Sequence, residues 1–111
     1  PEINVLVGFN EWMTLGVGEA IRQKGCAKQV RGVGFDSNIS SVSMLETGEM
    51  DVLIVQNPFA MGYLGVKNAA ELLNGKNVEK EVYTATVTVN VGNLYDADVQ
   101  KILFRFDSET H

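Results

Sequence analysis

The chain has 111 residues, 45% of them hydrophobic, with a mean hydropathy of +0.01, so it holds one core and reads as globular, not disordered. Its net charge of -5 and pI near 4.7 argue against nonspecific nucleic-acid binding, and no apolar run approaches the roughly 18 residues of a membrane span. A single cysteine, Cys26, excludes an internal disulfide, and without a CxxC or Cys/His pattern no structural metal is expected.

Residues 3–9 are apolar and β-rich and predict a first strand. Asn10 can cap a helix whose Met13, Val17, Ala20 and Ile21 fall at helical spacing, with Gly25 as its stop. A second strand follows over 30–35. Ser37 or Asn38 can cap a shorter helix with Ile39, Val42 and Leu45 on one face, ended by Gly48. A third strand covers 51–55. Asn57-Pro58 then reads as a helix entry, with Asn as cap and Pro in the first turn, and this helix runs to about Asn74 before Gly75. Its face of Phe59, Gly62, Val66, Ala69, Ala70 and Leu73 predicts close packing.

The alternation β-α-β-α-β-α predicts an α/β fold, a parallel sheet with a βαβαβ core covered by helices. The strands are continuous apolar runs, as expected when both sheet faces are buried. "KNVEKEV" reads as a solvated turn and "VYTATVTV" as a further strand over 82–89 with one wetter face. "NLYDADVQKILF" predicts a short helix with Leu94, Val99, Ile102 and Leu103 turned inward, and the tail "DSETH" is expected to fray.

The three core strands share one feature. Each stops at a side chain able to hydrogen-bond: Asn10, Asp36 and Gln56. In an open parallel sheet, ligands sit outside the carboxyl ends of the strands. A carboxylate and two amides there match a polyhydroxylated ligand, whose hydroxyls both donate and accept. Capping is the ordinary use of Asn or Asp at such a place, and for Asn10 or Asp36 alone it outweighs ligand binding. Gln56 is a poor cap and Asn57 already fills that role, so the three endings together point to a ligand.

"VLVGFNEWMTLG", "VRGVGFDSN" and "DVLIVQNPFAMGYLGVKNAAELLNGK" resemble, in order and spacing, the last part of type I periplasmic sugar-binding proteins, the ribose- and galactose-binding proteins of ATP-binding-cassette transporters. The resemblance continues through "VNVGNLYDADVQKILF". It implies that Asn10, Asp36 and Gln56 contact a monosaccharide-sized sugar, and that Asn57-Pro58 belongs to a hinge. It further implies delivery to a membrane permease, a periplasmic or extracellular location with a surface lipoprotein allowed, and neither catalysis nor cofactor. The family has an acidic or small residue where this chain has Trp12, which leaves Trp12 a candidate for stacking on the ligand, for a lid, or for plain packing.

Members of that family are much longer and have two lobes. The resemblance therefore implies that residues 1–57 are a βαβαβ segment of the C-terminal lobe, that 58–90 belong to the other lobe, and that 91–111 form a crossing and tail. It also implies that the remainder of the same protein is a partner. The chain opens on Pro1 and not Met, so an upstream segment is expected and the lack of a visible signal peptide leaves the compartment open. The main alternative is the effector-binding domain of a lactose-repressor-type regulator, which shares the fold. A dinucleotide enzyme would need a Gly-rich first turn, which "GFNEWM" is not. No Ser/His/Asp or Cys/His set supports hydrolysis, and the one histidine is His111 in the tail.

Overall fold

The computed structural model describes residues 2–104; the expected frayed tail, His111 included, lies outside the described residues. The elements run β1 (Val5–Val7), α1 (Glu11–Lys24), β2 (Arg31–Phe35), α2 (Ile39–Thr47), β3 (Val52–Val55), α3 (Pro58–Leu73), β4 (Val87–Val89) and α4 (Ala97–Leu103). The helix boundaries follow local chemistry. Asn10, Asn38 and Asn57 cap α1, α2 and α3 by accepting from the backbone N–H three residues on, and Pro58 occupies the first turn of α3. Gly25 and Gly48 end α1 and α2 in the left-handed region, at φ 61 and 91.

The sheet order is β1-β2-β3-β4, with the first three strands parallel as expected. β4 adds to β3 in antiparallel register, Leu53 opposite Val89, so the sheet is mixed. Only 87–89 of the expected strand 82–89 are extended in the sheet. Residues 87–90 were assigned above to a segment apart from β1–β3. They belong with those strands, because Val89 completes the core around Leu53.

The chain divides into two compact units, 1–55 with 87–111, and 56–86. In the first, Met44, Leu45, Met50, Leu53, Val55, Val89, Leu94 and Val99 form the core on one sheet face. The inward face of α1 is displaced from the apolar count. Thr14, Gly18 and Ile21 are buried, while Met13 is exposed. On α2, Ser41 and Met44 are buried and Ile39 is exposed. The reason is space: Gly18 backs directly onto Met44, so small residues face the contact.

The other sheet face carries Val5, Val7, Val33, Phe35, Val52 and Ile54 by register, with Arg31 and Thr88 at its margins, and none of these is buried. The expectation of two covered faces does not hold for these residues, because α1 and α2 both lie on the Leu53 side. In the second unit α3 is a sixteen-residue helix without a buried residue, so the close packing expected of its Phe59, Val66 and Leu73 face is not formed among the described residues.

Candidate functional site

β1 and β2 are neighbours in parallel, and each delivers one polar residue to the carboxyl edge of the sheet. Asn10, exposed and extended at φ -154, is the cap of α1; its Oδ1 accepts from Met13 N–H at 2.8 Å. The expected capping role is therefore real, and it leaves the amide NH2 as the end of Asn10 that can donate to a ligand. Asp36 is half-buried, and its N–H donates to Ile54 O at 2.9 Å. The cap of α2 is Asn38, not Asp36. Asp36 has φ 65, which non-glycine residues rarely adopt and which tends to be kept where function uses it.

Five further residues build this edge, of which the sequence singled out only Asn38, as a cap of α2. Phe9 and Phe35 precede Asn10 and Asp36, with ring centroids 6.0 Å apart. Asn38 Nδ2 donates to Glu11 Oε1 at 2.7 Å and ties the starts of α1 and α2 together. Thr14, 0% exposed, accepts from Phe35 N–H at 3.0 Å and donates to Asn10 O at 2.8 Å. A signal was present: the two strands end on Val7-Gly8-Phe9-Asn10 and Val33-Gly34-Phe35-Asp36, and Val7 and Val33 are register partners. The same Val-Gly-Phe ending, followed by Asn in one strand and Asp in the other, appears twice, side by side. Trp12, in the first turn of α1, is 79% exposed.

Gln56 follows β3 directly and opens the second unit, where it is half-buried. Asn57 Oδ1 accepts from Ala60 N–H at 3.0 Å, and Phe59 stacks on Tyr63 with centroids 6.4 Å apart. The structural ion pairs lie at the opposite end of the sheet. Asp51 accepts from Gly32 N–H and Arg31 Nη1 at 2.9 and 2.8 Å. Arg22 Nε donates to Glu49 Oε1 at 2.8 Å. That hydrogen bond, with a second from Thr47, holds the Glu49 carboxyl below the usual carboxylate range. Among the described residues no three His, Cys, Asp or Glu could hold a metal together, and no helix is long and apolar enough to cross a membrane.

The periplasmic binding protein domain matches residues 1–77. The chain belongs to this family. The ribose import binding protein of Bacillus subtilis is 30% identical over 82 residues, 74% of this chain and 26% of that protein. The D-ribose/D-allose-binding protein of Pseudomonas aeruginosa is 35% identical over 83 residues, 73% of this chain and 25% of its own length. Among solved structures, a carbohydrate transporter solute-binding protein from Agrobacterium radiobacter in complex with D-arabinose is 33% identical with a TM-score of 0.84, over 93% of this chain and 35% of that one. An ABC transporter solute-binding protein from Agrobacterium vitis bound with α-D-tagatopyranose is 29% identical with a TM-score of 0.85, over 91% and 34%. The periplasmic binding protein chain described here thus spans about a quarter of these curated relatives and a third of the solved chains. Its mixed α/β fold is theirs.

Proposed function

We propose that this protein is the sugar-binding component of an ABC transporter, acting outside the cytoplasm and handing a monosaccharide to a membrane permease. Its work is binding and hinge closure, without bond chemistry. The observation that carries the reading is the doubled ending, VGFN beside VGFD, at the carboxyl edge of adjacent parallel strands, where α/β sheets receive ligands. In this reading the Asn10 NH2 donates to a sugar oxygen, the Asp36 carboxylate accepts from one or two hydroxyls, and Gln56 supplies both kinds of bond. Trp12 stacks on the ligand or closes over it. Asn57-Pro58 lies in the hinge, and bending falls on its neighbours because proline fixes one dihedral. Residues 1–57 serve one lobe, 58 to about 86 serve the other, and the rest of the same protein completes both. The named relatives are transport proteins, which favours this reading over a repressor.

Calorimetric titration of the full-length protein with D-ribose, D-allose and D-arabinose tests it. One of these or a similar sugar should bind, and Asp36→Ala should weaken that binding by about 2–4 kcal/mol, roughly 30-fold or more. Unchanged affinity in Asp36→Ala would remove Asp36 from the site.

A further inference from the structure

Thr14 touches the backbone of both strand endings. A helical threonine hydroxyl ordinarily bonds back to the carbonyl four residues earlier, and Thr14 does this to Asn10 O at 2.8 Å. Its lone pair does something else. It accepts from Phe35 N–H at 3.0 Å, while Phe35 O, at 3.2 Å, is within reach of the same proton.

The reason lies in where β1 stops. The last bond between β1 and β2 runs from Gly8 N–H to Val33 O at 2.8 Å, and Asp36 N–H turns the other way, to Ile54 O on β3. Phe35 N–H falls on the β1 side, beyond the point where that strand has given way to α1. The hydroxyl of Thr14 stands where the next strand residue would have stood. The two glycines of the doubled ending permit it. A Cβ on Gly8 would lie 2.6 Å from Thr14 N, and one on Gly34 2.3 Å from Thr14 Cγ2.

We propose that Thr14 is a positioning residue for the candidate site: its hydroxyl joins the carbonyl of Asn10 to the amide of Phe35 and so fixes Asn10 against Asp36. The consequence for sugar affinity rests on the reading proposed above; the junction itself does not. Core packing alone would be served equally well by valine, which has the same shape and no hydroxyl.

The test compares Thr14→Val and Thr14→Ala, which lack the hydroxyl, with Thr14→Ser, which keeps it; two hydroxyl-free variants guard against one failing to fold. Hydrogen exchange of the Phe35 amide in the full-length protein should quicken about tenfold or more in Val and Ala and stay near wild type in Ser. Exchange unaltered in Val and Ala would overturn the proposal. In calorimetric titrations with D-ribose and D-arabinose, Val and Ala should bind about tenfold more weakly and Ser should bind within about threefold of wild type. Equal affinities in all four proteins would also overturn it. A wild type that binds neither sugar, with Phe35 exchanging as expected, would sink the sugar reading and leave the junction standing.

Discussion

At the scale of the residue, Asp36 joins an unusual backbone conformation to a proposed ligand contact. A left-handed backbone costs an L-residue about 1–2 kcal/mol, less for Asp and Asn, and nothing comparable for glycine. With φ 65 at the end of β2, Asp36 holds a backbone conformation that glycine adopts without that cost. Asp36→Gly is expected to weaken sugar binding about as much as Asp36→Ala, while relief of the left-handed cost offsets about 1 kcal/mol of whatever the carboxylate contributes to the fold. Thermal denaturation and titration on one preparation measure both, and a clear fall in stability would show that the carboxylate serves the fold. The polar ending was legible in the sequence because it breaks an apolar run. The sign of φ was not, since nothing local forbids Asp36 an ordinary extended conformation. Thr14 was not legible either: a threonine among apolar helical positions reads as the solvent side until its partner, 21 residues away, is in place.

At the scale of the element, α1 is fastened at both ends. Its first turn sits on Gly8 and Gly34, and its last turn holds Glu49 through Arg22. Gly34→Ala would put a Cβ 2.3 Å from Thr14 Cγ2, 2.7 Å from its Oγ1 and 2.9 Å from Leu53 Cδ2. It should destabilise by about 1–3 kcal/mol, and by less when combined with Thr14→Ala, which clears both Thr14 atoms. A denaturant double-mutant cycle reads that coupling. Glu49 sets a pH dependence. Arg22 and Thr47 depress its folded pKa, so the stabilisation is present above the usual glutamate range and is lost as pH falls through the lower folded value. Glu49→Gln should therefore be less stable than wild type near neutrality and approach it in strong acid, in denaturation curves taken across that range. The caps of these helices were legible residue by residue, because Asn before an apolar turn and Gly after one act locally. Their inward faces were not. Apolar spacing favours Met13 and Ile39, whereas the packing is set by how closely backbones approach at Gly18 and Gly34. Val82–Thr86 alternate like a strand, yet only Val87–Val89 find a partner.

At the scale of the whole molecule, the described residues leave many large apolar side chains exposed. β1 is an edge strand with Val5 48% and Val7 39% exposed, and the sheet face it shares with Val33 and Ile54 has no buried residue. Separately, α3 leaves Val66 74% and Leu73 89% exposed. Such surface is more than scattered apolar residues on an ordinary monomer; an open strand edge beside a contiguous apolar face is a template for association. This chain spans about a third of the solved family members, and in the reading proposed above the cover for these faces is the remainder of a longer protein. On that reading the 111 residues on their own are expected to self-associate, and to bind sugar far more weakly than a full-length protein whose opposing lobe supplies the other contacts. Adding the remainder as a separate chain should dissolve those assemblies into a defined complex and restore binding. Sedimentation velocity with and without the second chain, followed by titration of each sample with D-ribose, carries the test. A stable monomer that binds the sugar at micromolar affinity alone would show that the two VGF endings and Gln56 suffice, and that the exposed faces need no partner.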